Sequence, residues 1–80
     1  MNAKDWKILL VDDEREFITT LAERLELRGI NARVVFDGES ALLAVAQDEP
    51  HVMVLDVLMP GIKGLEVLER VKRKIGRAHV

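Results

Sequence analysis

Lys7-Ile8-Leu9-Leu10-Val11-Asp12-Asp13 is a short apolar run closed by two adjacent acids, and a later run, His51-Val52-Met53-Val54-Leu55-Asp56, is closed by a third. Each run has the length and aliphatic content of a strand buried on both faces. A helical pattern follows each run, so the units read as β–α pairs and the sheet as parallel. In an open parallel sheet, ligands bind at the carboxyl ends of the strands. The carboxylates of Asp12, Asp13 and Asp56 would meet there. Like charges held close repel and raise one another's pKa unless protons or a cation relieve them. An all-oxygen acidic pocket suits a hard divalent ion, Mg²⁺ above all. The pattern predicts a metal pocket with a carboxylate beside it, hence chemistry more than packing.

The intervening chain supports that reading. The first strand is expected over Lys7–Val11, with Trp6 packing over the sheet edge. The first helix is expected from Glu14 to Arg28, its apolar stripe formed by Phe17, Ile18, Leu21 and Leu25. Asp12 or Asp13 can cap it, and Gly29 is placed to end it in left-handed geometry. A second strand over Asn31–Phe36 carries polar Asn31 and Arg33, as an edge strand does. Asp37-Gly38 makes a turn and a cap for a helix over Glu39–Gln47, whose inner face is expected to be Ala41, Leu42, Val45 and Ala46. Asp48-Glu49-Pro50 stops that helix. After the third strand, His51–Leu55, Pro60-Gly61 marks a loop, and a last helix over Lys63–Lys74 turns Leu65, Leu68 and Val71 inward before Gly76 ends it.

The element order is therefore β1-α1-β2-α2-β3-α3. Right-handed crossovers place strands 1 and 2 side by side. Strand 3 must then flank strand 1, because its acid can cooperate with the pair only as a neighbour. The predicted strand order is 2-1-3, with the acids at the topological switch point.

Eighty residues make one small domain, expected to bury only about 60–65% of the surface its unfolded chain exposes. Apolar content of 49% and charged content of 32% are those of a globular protein rather than a disordered one. There is no cysteine, which excludes disulfides and thiolate chemistry. The sequence has neither the apolar core of a signal peptide at Met1–Asp5 nor a run near the ~20 residues of a membrane span, so a cytoplasmic location is expected. Charge is uneven. Residues 1–69 carry seven Lys/Arg against fourteen Asp/Glu, and residues 70–80 carry five basic residues and no acid. That basic end reads either as a contact patch for an acidic partner or as a cationic last turn complementing the helix dipole. Without interleaved aromatics the second reading is preferred, and no nucleic-acid binding is expected.

The residues Val11-Asp12-Asp13-Glu14, Leu55-Asp56, Met59-Pro60-Gly61 and Asp37-Gly38, with their spacing, resemble the receiver domain of two-component response regulators. The likeness runs from about Trp6 to Arg73. It implies a flavodoxin-like α/β three-layer sandwich, here truncated to three β–α units in a single domain over residues 1–80. It also implies roles. Asp56 would be the phosphoacceptor and itself a Mg²⁺ ligand, Asp13 a direct Mg²⁺ ligand, Asp12 a ligand through water or a neighbour, and the backbone carbonyl of Leu58 a further ligand. The implied partner is a sensor histidine kinase or a phosphotransfer protein, and the implied function is that of a phosphoacceptor signalling module in a phosphorelay rather than an enzyme. Each residue also has a plain reading. Asp12 and Asp13 can serve only as helix caps, Asp56 can open a turn, and Pro60-Gly61 is a turn in its own right. His51 opens a strand and His79 lies near the end, neither with a partner at metal-ligand spacing.

The family has five β–α units, and its Ser/Thr after strand 4 and Lys after strand 5 have no counterpart in these residues. Phosphorylation is therefore expected to be impaired, and the open edge of strand 3 is expected to favour homo-oligomers. The competing reading is a non-catalytic interaction or assembly half-receiver that self-associates through that edge. A phosphatase using an aspartyl phosphate ranks lower, because Leu58 stands where such enzymes carry a second acid. A dinucleotide-binding enzyme is disfavoured because no glycine-rich turn follows strand 1. Finally, Lys74-Ile75-Gly76-Arg77-Ala78-His79-Val80 is what a common sequencing adapter encodes when translated in frame, which predicts that the natural match ends near Arg73.

Overall fold

The computed structural model describes residues 5–56 and 64–75, the side chains of residues 64–65 and 74–75 excepted. Six elements alternate along the chain: β1 (Ile8–Val11), α1 (Arg15–Leu27), β2 (Ala32–Val35), α2 (Gly38–Gln47), β3 (Val52–Leu55) and α3 (Gly64–Ile75). The three strands are parallel, in the order β2-β1-β3. Leu10 lies opposite Val34 on one side and Val54 on the other, and Val11 opposite Val35 and Leu55. The predicted order and its reversal at β1/β3 are both present.

The central strand is apolar throughout because both its faces are covered. Leu9, Leu10 and Val11 are all buried. Alternation divides the side chains between the faces. On one face Leu9, Val11, Val35 and Met53 pack with Ala41, Ala44 and Val45 of α2 and Val67 and Val71 of α3. On the other face Leu10 and Ile18 of α1 are the buried pair. The small residues of α2 let that helix sit close to the sheet.

Local chemistry sets the helix ends. At the end of α1, Gly29 has φ 81°, the Gly29 N–H donates to Glu26 O, and the Ile30 N–H donates to Leu25 O, both at 2.9 Å. This paired closure needs a residue without a Cβ penalty at Gly29. At the start of α2, an Asp37 carboxylate oxygen accepts from the Ser40 N–H at 2.7 Å. The Ser40 hydroxyl donates to the other oxygen at 3.0 Å. Both ends follow the sequence expectation.

Four expectations need correction. Ala46 is exposed and Ala44 takes its place on the inner face of α2, since the i, i+3, i+4 set Ala41, Ala44, Val45 leaves position 46 more than a quarter turn away. Val67 is buried with Val71, while Leu68 is only half-buried. Phe17 stands 58% exposed, because α1 packs chiefly over β1 and β2 and its Phe17 flank overhangs the margin of that contact. The N-cap position of α1 is Glu14, without a side-chain cap bond. The loop expected at Val57–Gly61, the helix start expected at Lys63, the inward turn of Leu65, the end at Gly76 and His79 lie outside the described residues.

Candidate functional site

The carboxyl ends of β1 and β3 deliver the acids. The Asp12 N–H still donates to Val35 O at 3.2 Å, and the Asp56 N–H to Val11 O at 3.0 Å, so the ladders hold both residues to the last rung. Asp13 follows one residue beyond. One carboxylate oxygen from each of Asp12, Asp13 and Asp56 can be chosen so that all three lie within 4.8 Å of one another. Asp12 and Asp56 are half-buried and Asp13 is exposed. The structure thus brings together three of the four expected site residues. Leu58 lies outside the described residues.

Asp12 does more than carry charge. Its Oδ1 accepts from the Glu14 N–H at 2.9 Å, an i to i+2 turn that swings the chain from β1 into α1. This fixes one oxygen of Asp12 on protein and leaves its other oxygen for a second task. Asp13, with no such tether among the described bonds, stands at the open side of the cluster. The donor set is all carboxylate oxygen, spaced so that one small cation can touch or lie one water away from each. That chemistry fits Mg²⁺ and disfavours soft metals, which take thiolate or imidazole.

The rim on the β2 side is built by residues that the motif reading did not single out. The Arg15 guanidinium lies over the Phe36 ring, 4.1 Å from its centroid. This contact ties the first turn of α1 to the end of β2. The carboxyl of the neighbouring Asp37 is held below the usual carboxylate range, chiefly by the Ser40 N–H and hydroxyl, with a smaller contribution from the Arg15 charge. The signal for Arg15 was an aromatic at the end of the neighbouring strand, which becomes meaningful only once β1 and β2 are paired.

The profile of the response regulator receiver domain family matches residues 8–80. The transcriptional regulatory protein CpxR of Klebsiella pneumoniae is 43% identical over 67 residues, a stretch that is 84% of this chain and 28% of CpxR. The chain therefore spans under a third of the length of that relative. Among solved structures, the response regulator TrrA in complex with the histidine kinase ThkA superposes with a TM-score of 0.82 at 36% identity, covering 91% of this chain and 63% of that one. TrrA from Thermotoga maritima in complex with Mg²⁺-BeF gives 0.81 at 35% identity, covering 89% and 62%. No helix among the described residues is long and apolar enough to cross a membrane. With three parallel strands in the order 2-1-3 and acids gathered at the switch point, this chain belongs to the response regulator receiver domain family.

Proposed function

We propose that this chain is the phosphoacceptor module of a cytoplasmic two-component phosphorelay, with Asp56 taking the phosphoryl group. The observation that carries the reading is the meeting of Asp12, Asp13 and Asp56 oxygens within 4.8 Å at the ends of two adjacent parallel strands. A carboxylate oxygen of Asp56 attacks phosphorus, a P–O bond forms, and the bond from phosphorus to the donor group breaks, the electron pair leaving with the donor. Asp13 would bind Mg²⁺ directly, Asp12 through water or a neighbour, and the Leu58 carbonyl would complete the protein ligands. Bound Mg²⁺ supplies the positive charge that screens an incoming phosphoryl group from three carboxylates. The tether from Asp12 to the Glu14 N–H keeps one oxygen oriented while Asp13 remains open to the cation.

The phosphodonor partner is a sensor histidine kinase or phosphotransfer protein, as the ThkA complex of the related TrrA supports. Incubation with Mg²⁺ and acetyl phosphate, read by intact mass, tests the assignment. The expected result is a phosphoryl adduct that Asp56→Asn abolishes. An adduct that persists in Asp56→Asn would sink the assignment.

Self-association accompanies this role. Among the described residues β3 pairs only with β1, and Val54 on it is 48% exposed. Where no further segment covers it, a strand edge of this kind is a template for a second copy. Light scattering at high micromolar concentration is expected to show oligomers; a clean monomer would overturn this.

A further inference from the structure

The opposite end of the β1–β3 pair carries a second organised cluster. There the ladder does not fade into solvent. Lys7 O accepts from the His51 N–H at 2.8 Å and from the Val52 N–H at 3.2 Å. In return the Lys7 N–H donates to the ring nitrogen Nδ1 of His51, also at 2.8 Å. Lys7 then reaches the end of α2, its Nζ 2.6 Å from Asp48 Oδ1. One residue is thus gripped through its N–H, its carbonyl and its ammonium. The imidazole serves as the last acceptor of the ladder, one residue after Pro50.

We propose that His51 is a pH-sensitive lock on the pairing of β1 with β3. A main-chain N–H can be met only by a ring nitrogen holding a lone pair, so the bond requires the neutral imidazole with its proton on Nε2. A second proton on Nδ1 puts two donors face to face and breaks the bond. The charged groups on the segments that meet there are Asp5 and Lys7 before β1, and Asp48 and Glu49 between α2 and β3. Lys7 and Asp48 already satisfy each other, so among the described bonds no carboxylate is dedicated to a protonated ring. The lock is closed while the imidazole is neutral and opens when acid adds the second ring proton. Its position sets the consequence: it holds the entry of the two strands whose exits present Asp12, Asp13 and Asp56. The inference does not depend on what those acids bind.

The test compares the intact chain with His51→Asn, whose side-chain oxygen can accept from the same N–H and does not titrate. Chemical unfolding is measured at pH 8 and pH 5. His79 and every carboxylate are common to both proteins, so their contributions cancel in the comparison. On acidification the unfolding constant of the intact chain is expected to rise roughly two- to ten-fold more than that of His51→Asn, the range of one neutral hydrogen bond. In parallel, ¹⁵N spectra of the unaltered chain are expected to show the Nε2–H tautomer at pH 8 and a Lys7 amide shift that follows the His51 ring through its titration. Equal pH dependence in the two proteins, or a Lys7 amide that stays flat while the ring titrates, would overturn the proposal. The spectroscopic arm stands even where the variant fails to fold.

Discussion

The two ends of the β1–β3 pair are built on opposite electrostatic plans. At the entry, charges and dipoles are matched: Lys7 with Asp48, and the Lys7 amide with His51. At the exit, roughly 16 Å away along the strand, three acids of one sign are gathered by Asp12, Asp13 and Asp56. The lesson is a division of labour. Like charges can be concentrated at one end because the same two strands are held in register by apolar packing in the middle and reciprocal bonds at the other end. The packed middle resists a repulsion that would otherwise splay the strands.

The most severe way to break this arrangement is to remove the middle. Leu10 is 1% exposed on the central strand and sits between Val34 and Val54. Leu10→Ala is expected to cost about 2–5 kcal/mol, most of what so small a domain has. Thermal unfolding followed by circular dichroism should lose its cooperative transition, while the same truncation at exposed Leu43 leaves it nearly intact. Comparable losses at both positions would mean that the sheet does not carry the fold.

The next two changes sharpen the contrast between the ends. Mg²⁺ at ten times its dissociation constant should stabilise the chain by about 1.4 kcal/mol, and EDTA should remove that gain. Asp13→Asn should abolish the Mg²⁺ response yet stabilise the metal-free chain by up to about 1 kcal/mol, the repulsion of two unit charges near 4 Å in water. Neutralising an acid at the entry should do the reverse. At the third strand end, Asp37→Ala removes the α2 cap and should cost about 1 kcal/mol. Because the Ser40 bonds hold the Asp37 carboxyl below its usual range, its contribution is fully present above the unfolded carboxylate's range near 3.8 and is lost only as pH falls below it. An Asp37→Ala penalty that stays constant from pH 6 to pH 2.5 would contradict that assignment.

Much of this was legible in the sequence because it depends on local spacing. Gly29 and Asp37 act within a few residues of themselves, and the apolar runs ending in acids fix both strand type and the end that carries the chemistry. The parts that were not legible depend on what lies across a contact. Val67-Leu68 offers two adjacent apolar residues, either of which makes a stripe with Val71, and only the packing of α3 on α2 selects Val67. Phe17 belongs to the apolar stripe of α1 by periodicity, yet lies on the flank that the sheet does not cover. Arg15 on Phe36 and His51 on the Lys7 amide join residues 21 and 44 positions apart, and no spacing rule announces either contact.

The smallest expected effect is at the Lys7–Asp48 pair, and it bears directly on what the matched end contributes. The two side chains are 55% and 57% exposed, so water and salt compete for both. A double-mutant cycle with Lys7→Ala and Asp48→Ala should give a coupling of only about 0.2–1 kcal/mol. Salt near 1 M should cut it further, since charges then screen one another over about 3 Å. The His51–Lys7 amide bond involves a neutral ring and should keep its value at the same salt concentration. If the coupling of the ion pair instead exceeds the contribution of that hydrogen bond and survives high salt, the entry is held by charge rather than by strand geometry, and the two ends differ in sign alone.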